Sequence, residues 1–371
     1  MSAASNSKAS QRRWAALVLV LVGCHGADVE PEVMDAGTDS PPVAIVCTPD
    51  GPSSAVLLHT FDEGPTRELL LAGPDLVFLD GTVFRQSADE WARGRDLGAI
   101  QVQGDLLLTR DQADFSVYLR HPDGGLEWLA RHELDDSGYH YTVAGRLDGD
   151  RLVMSGHTAP RINVRERWQD PLAEPVVHET DAVGTLALEG DWLANGGRGV
   201  IEVRRRSTDG RWWSTRQTIP TRGRDFVLNH GRLIAGGIDL EGRSAVFVHH
   251  LDVDERWQRV QVLHADAFDP SEPATEGDGF GTVVRVAGDR LAVGGGRASF
   301  CGETWERRGA VFLYREVDGR WVFEQVVLPP PEETTSNFGA ALDFDGRRLL
   351  VGDPPSYGGE TERVFLYDVG E

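Results

Sequence analysis

Along most of the chain, short apolar runs alternate with polar residues at a period of two, and glycine or aspartate interrupts them every few positions. The pattern is cleanest from Phe280 to Leu328. There Phe280-Gly281-Thr282-Val283-Val284-Arg285-Val286 alternates, Gly288-Asp289 turns the chain, and Arg290-Leu291-Ala292-Val293-Gly294 runs back. After a long loop, Gly309-Ala310-Val311-Phe312-Leu313-Tyr314 gives a third run, Asp318-Gly319 a tight turn, and Trp321 to Leu328 a fourth. Such patterning between Gly and Asp punctuation marks short antiparallel strands.

Two landmarks repeat this unit along the chain. The first is the turn between strands one and two, found at Gly73-Pro74-Asp75-Leu76, Gly104-Asp105-Leu106, Gly149-Asp150-Arg151-Leu152, Gly190-Asp191-Trp192-Leu193, His230-Gly231-Arg232-Leu233, Gly288-Asp289-Arg290-Leu291 and Gly346-Arg347-Arg348-Leu349. The second is a tryptophan expected to open each fourth strand: Trp91, Trp128, Trp168, Trp212, Trp257 and Trp321. Seven turns face six tryptophans because the unit beginning near Asn337 ends after its third strand, Val364-Phe365-Leu366-Tyr367. The orphan run Ala55 to Phe61 is available to supply the missing strand. Four-stranded repeats of about 40 to 60 residues predict propeller blades. Residues 51–371 are therefore expected to form an all-β, seven-bladed β-propeller of four-stranded antiparallel blades, its last blade closed by the N-terminal strand. Recurrence once per blade makes the tryptophans packing residues, not stacking platforms.

Phe280-Gly281 through Gly294 and Phe338-Gly339 through Gly352 resemble the FG-GAP repeats of integrin alpha-subunit propellers and many bacterial surface proteins. Leu97-Gly98 and Val183-Gly184 are degenerate counterparts. The resemblance implies a seven-bladed propeller and a binding role. Some members of the family carry calcium loops with alternating Asp or Asn; the corresponding loops here lack that run, so no cofactor or metal is expected and calcium has no ligand motif.

The N-terminus reads as an address. Lys8, Arg12 and Arg13 precede the apolar run Trp14 to Val22, which is far shorter than the roughly 20 residues a membrane-spanning helix needs. Leu21-Val22-Gly23-Cys24 resembles the bacterial lipobox, which implies a signal peptide over 1–23 and lipidation of Cys24. Several acyl chains on one residue give stable anchoring. His25 after the cysteine, in place of Asp, points to an outer membrane, at its periplasmic face or the cell surface. Residues 24–50, rich in Asp, Glu, Pro, Gly and Ser, read as a solvated tether.

Charge and cysteines narrow the partners. A formal charge of −22 on 371 residues repels phosphate backbones, so nucleic acid is not an expected partner. With Cys24 assigned to lipid, Cys47 and Cys301 are left as a candidate disulfide that would lock the ring's closure.

Catalytic signatures are lacking. Asp148 and Asp150, Asp252 and Asp254, and Asp343 and Asp345 fall where hairpins need turns. His249 and His250 sit side by side on a strand, so they face opposite ways and cannot easily share a metal. His140 and His157 are candidates to face the channel without a spaced acid or nucleophile, and no nucleophile elbow, phosphate loop or zinc motif occurs.

The long loops supply the functional clue. In an antiparallel blade the connections from strand one to two and three to four share one face, and those from two to three and four to the next blade share the other. The first kind is expected to be short throughout, while the long ones, 264–278, 295–308, 329–336 and 353–361, are all of the second kind and belong to the end of the ring. They carry Phe268, Phe300, Trp305 and Tyr357 among acidic residues. Loops on a rigid scaffold are where binding develops. The expectation is a monomeric, lipid-anchored cell-envelope propeller that binds a protein or glycan through this face. The alternatives are a polysaccharide hydrolase or lyase with its site at the channel mouth, or a structural module of an envelope complex.

Overall fold

The chain divides into two compact units, Met1–Pro41 and Pro42–Glu371. A computed structural model describes residues 55–370, all in the second unit, apart from 63–68, 134–143, 156–160, 171–173, 181–183, 266–278, 297–307, 332–336, 355–362 and scattered single or paired positions. The regular elements of the described residues are all strands.

Beginning with β1 (Val56–Phe61), the strands fall into seven four-stranded sheets. Blade one holds β2 (Leu69–Leu71), β3 (Leu76–Leu79), β4 (Thr82–Ser87) and β5 (Glu90–Asp96). Blade two holds β6 (Ala99–Gln103), β7 (Leu106–Asp111), β8 (Asp114–Arg120) and β9 (Leu126–Glu133), and blade three β10 (Ala144–Asp148), β11 (Arg151–Ser155), β12 (Arg161–Arg165) and β13 (Val176–Glu179). Blade four holds β14 (Leu186–Glu189), β15 (Trp192–Gly197), β16 (Val200–Arg206) and β17 (Trp213–Pro220), and blade five β18 (Phe226–Asn229), β19 (Arg232–Ile238), β20 (Ser244–Leu251) and β21 (Trp257–His264). Blade six holds β22 (Phe280–Ala287), β23 (Arg290–Gly295), β24 (Ala310–Val317) and β25 (Arg320–Val327).

The last blade has the order β1-β28-β27-β26, with β26 (Ala341–Phe344), β27 (Arg348–Asp353) and β28 (Arg363–Asp368). Its outer strand thus comes from the start of the domain, as expected. First strands of successive blades touch one another, and β26 touches β2, so the sheets form a closed ring with β2, β6, β10, β14, β18, β22 and β26 innermost. The seven expected one-to-two turns all fall between the first two strands of their blades.

The core lies between blades. Ile234, Val246 and Val248 of blade five pack with Phe280, Val284 and Phe312 of blade six, and Val311 and Leu313 of blade six pack with Phe338, Phe365 and Tyr367 of the closing blade. Each sheet therefore buries both faces, which is why second and third strands read as nearly continuous apolar runs.

The tryptophan landmarks need correction. Trp257 opens β21, Trp321 is the second residue of β25, and both are buried. In blade four the corresponding buried residue is Trp213, while Trp212 lies outside the described residues. Trp168 is buried but precedes β13, in the connection from β12. Its indole Nε1 donates to Gly149 O at 2.9 Å, so it plugs the turn face of blade three and does not open a strand. Trp128 enters β9 two residues late and is 58% exposed.

The seam between blades carries a second repeated device. Gln217 Nε2 donates to Trp257 O at 2.9 Å and Gln217 Oε1 accepts from Trp257 N at 2.8 Å. Gln261 repeats both bonds with Trp321, each at 2.8 Å. Each glutamine stands four residues after its own blade's tryptophan and clamps the main chain of the next one. Gln325, in the same position after Trp321, finds no tryptophan because the next outer strand is β1; it donates instead to Val369 O at 3.0 Å. Buried main-chain groups at an edge must find such partners.

Candidate functional site

Two regions were candidates: the face carrying the long connections, and the centre of the ring. The faces are distinguished by inter-blade bonds. Arg151 Nη1 donates to Gly190 O, Arg290 Nη1 to Gly346 O, and Glu189 accepts from His230 N at 2.6 Å, so the one-to-two turns of neighbouring blades lie side by side on one face. The two-to-three and blade-to-blade connections occupy the other. There Phe338 N donates to Arg308 O at 3.2 Å, and Gly309 bridges Phe338 in parallel.

The segments 266–278, 297–307, 332–336 and 355–362 all spring from that second face. Phe268, Phe300, Trp305 and Tyr357 lie in them, outside the described residues, as do Cys24, Cys47, Cys301, His140 and His157. What the structure does place are the bases. Arg308 Nη2 donates to Pro330 O at 2.7 Å. The buried Asp353 accepts from Asn337 N at 2.7 Å, and Asn337 Nδ2 reaches Pro354 O at 3.0 Å. Arg363 pairs with Asp62 at 3.2 Å. At the root of 266–278, Asp239 binds Arg243 Nε at 2.9 Å, and His264 Nε2 stands 3.7 Å from the same carboxylate. Burial would raise the Asp239 pKa, but the Arg243 amide and guanidinium, with Glu241, outweigh it and hold it low. Three of these segments therefore leave from fixed, hydrogen-bonded stems on the closing blade and its neighbour, and the fourth from an ionic cluster on blade five.

Two expectations about connections change. The link from β12 to β13, residues 166–175, is long although it belongs to the turn face. The link 134–143 from blade two to blade three is a long connection of the second kind far from the end of the ring. The decorated face is thus concentrated at, but not confined to, the last blades.

At the centre, the inner strands bring together charges that sequence spacing does not connect. Arg285 Nη1 on β22 meets Asp225 Oδ2 at 2.7 Å, and Arg285 Nε lies 3.8 Å from Asp343 Oδ1 on β26. The Arg285 and Asp343 side chains keep 32% and 19% of their surface open, so they line the channel. Burial raises the Asp343 carboxyl pKa, opposed by Arg285; burial would lower the Arg285 pKa, but Asp225 and Asp343 carry it upward. Asp343 is thus a strand residue and not, as its pairing with Asp345 suggested, a turn former. Asp345 does cap its turn, accepting from Arg347 N and Arg348 N.

These carboxylates also seal strand edges. Asp225 Oδ2 accepts from Val284 N at 3.0 Å, and Asp343 Oδ2 from Leu71 N at 2.7 Å. Gln101 does the same for blade three, accepting from Leu147 N at 2.7 Å. In these three blades the innermost strand is an edge whose amide is met by a side chain of the preceding blade. Chemically, the cluster sets one guanidinium between two carboxylates, each of which also accepts from a main-chain amide.

His249 is buried and His250 half-buried on β20, facing opposite ways as expected. Among the described residues no group of three or more His, Cys, Asp or Glu side chains is placed to hold a metal ion.

The chain is similar to the WD40 domain of coronin from Toxoplasma gondii, at 11% identity over 85% of this chain and 88% of that chain, with a TM-score of 0.50. It is also similar to Hsv2 of Kluyveromyces marxianus, at 12% identity over 72% of this chain and 70% of that one, with a TM-score of 0.50. At these identities the likeness concerns the fold alone. No protein-family model matches the chain. No curated protein matches it.

Proposed function

We propose that this propeller is a binding scaffold of the cell envelope, which takes a protein or glycan on the face carrying the long connections, with Phe268, Phe300, Trp305 and Tyr357 as its aromatic contacts. The observation that carries the reading is the common origin of four long segments on one face, three of them on stems fixed by Arg308, Asn337 and Asp353. Rigid stems under long loops limit the ordering cost of binding. We further propose that Cys24 is lipidated and anchors the chain to an outer membrane, and that the repeats are of the FG-GAP kind.

Among the described residues of the channel, Asp225 and Asp343 each accept from a main-chain amide and pair with Arg285, which gives both carboxylates a part in joining the inner strands.

A photo-crosslinking residue placed at Trp305, and separately at Asp318 on the opposite face, tests the proposal in intact cells. The expected result is a discrete adduct with one protein or glycan from position 305 and none from 318. Equal labelling from both positions, or none from either, would defeat it. Replacing Cys24 by Ser is expected to abolish fatty-acid labelling and release the protein into the soluble fraction.

A further inference from the structure

The seams on either side of blade three are built with polar side chains. In blades six and seven the third strand carries Phe312 and Phe365 opposite Val293 and Val351, then Tyr314 and Tyr367 opposite Leu291 and Leu349. Phe280 and Phe338 lie against the two phenylalanines, with ring centroids 5.2 and 5.5 Å apart. At the same two positions blade three has Asn163 opposite Met154 and Arg165 opposite Leu152, and blade four has Glu202 opposite Asn195 and Arg204 opposite Leu193. Glu202 accepts from Thr180 Oγ1 and from Arg204 Nη2, each at 2.8 Å, and Arg204 Nη2 also donates to Glu179 O at 3.0 Å. These bonds tie blade four to the end of blade three. When such a seam parts, water can meet each polar group, whereas a phenyl ring gains nothing from water. Among the described residues blade three is also the blade without a strand longer than five residues: its strands have five, five, five and four.

A histidine stands against the arginine of each seam. His132, on the outer strand of blade two, is 2% exposed, and its Nε2 has no hydrogen-bond partner among the described residues. Arg165 faces it from β12, and the main chain of Trp168 bonds its ring. His178, on the outer strand of blade three, is half-buried; its Nε2 is likewise buried without a partner, and Arg204 faces it from β16. A proton on either Nε2 sets a positive charge near a guanidinium and a donor where no acceptor stands. Burial and then Arg165 lower His132 to about 4, and burial and then Arg204 lower His178. Both shifts are downward, so the closed seams take up protons less readily than opened ones; the cohesion they give is whole above pH 6.5 and is lost as pH falls. Blade five has His249 and His250, but its third strand keeps Phe247 at the aromatic position, and Glu316 opposes the shift at His250.

We propose that blade three is an acid-operated joint of the ring, which parts from blades two and four while the aromatic seams of the last blades stay closed.

Hydrogen exchange of the full chain, read by mass spectrometry at pH 7 and pH 5 over low urea concentrations and corrected for intrinsic rates, tests this. His132 alone should lower the protection of β10 and β11 about twentyfold between the two pH values. At pH 5 these strands should exchange ahead of β23 and β24 and with a shallower dependence on urea, the mark of an opening short of global unfolding. In a His132→Gln, His178→Gln double variant the protection of β10 and β11 should lose this dependence on pH. A common protection and a common urea slope for blades three and six at pH 5 would overturn the proposal, whether or not the variant folds. So would a protection of blade three that does not fall between pH 7 and pH 5, or that falls equally in the folded double variant.

Discussion

Gly339 and Gly288 both adopt positive φ, +89° and +63°, yet they do so for different reasons. Gly288 sits in an open turn where an added Cβ would meet nothing within 4 Å. At Gly339 the same Cβ would stand 2.5 Å from Ala310 O and 3.1 Å from Val311 Cγ2 of the preceding blade. A left-handed conformation costs an alanine about 1–2 kcal/mol, and a collision with packed main chain about 1–3 kcal/mol more. Gly339→Ala is therefore expected to destabilise by about 3 kcal/mol and Gly288→Ala by about 1 kcal/mol, measured by urea unfolding. Equal losses would mean that blade-to-blade approach is not what requires the glycine. The Phe-Gly pairs at 280 and 338 stood out in the sequence, but their reason did not, because the partner main chain belongs to another repeat. Trp128 shows the converse: its spacing imitated that of the buried tryptophans, and only the register of β8 with β9, Tyr118 opposite Trp128, reveals that it enters its strand late.

Among elements, the outer strands are joined by glutamine rather than by apolar contact alone. Gln261→Ala removes both bonds to the Trp321 main chain and leaves an amide and a carbonyl unmet at a buried seam, a loss of about 1–3 kcal/mol. Gln258→Ala, on the exposed side of the same strand and bonded to Asp252, is expected to change stability by less than about 0.5 kcal/mol. Denaturant midpoints of the two variants should differ accordingly, and coincidence would refute the clamp. The Trp-x-x-x-Gln spacing at Trp213, Trp257 and Trp321 was visible in the chain, but reading apolar periodicity alone passes over it. Strand number, turn positions and ring closure were legible because Gly-Asp turns and period-two runs are local signals. The four-residue β13, ten residues beyond β12, was not, since Trp168 marks the wrong place for it. Nor was the trio of Asp225, Arg285 and Asp343, whose members come from three blades. The candidate partner face was legible only as loop length, since its aromatic residues lie outside the described positions.

For the whole molecule, acid is expected to weaken the ring despite relieving its negative charge. Burial, joined by Arg165, lowers His132 to about 4; burial, joined by Arg259 and His250, lowers His249 to about 4. Both values lie below the ordinary 6.5, so protons favour the unfolded chain: the contribution is whole above pH 6.5 and is lost as pH falls towards 4. Asp343 is shifted the other way, its contribution being whole only below the ordinary carboxyl value and declining as pH rises. Asp368, held low by the Arg347 guanidinium, loses its contribution only below that same range. Between pH 6.5 and 5 His132 and His249 therefore lose about 2 kcal/mol each at pH 5, and His59, His178 and His250, also lowered by burial, add to the loss. His249 stands opposite Leu233, the register at which Tyr314 faces Leu291 and Tyr367 faces Leu349 in the next two blades. His249→Tyr should therefore fit the fold at pH 7 and remove about 2 kcal/mol of the acid loss, read as the difference in unfolding free energy between pH 7 and pH 5. An unchanged difference would show that the acid sensitivity does not originate at this buried imidazole.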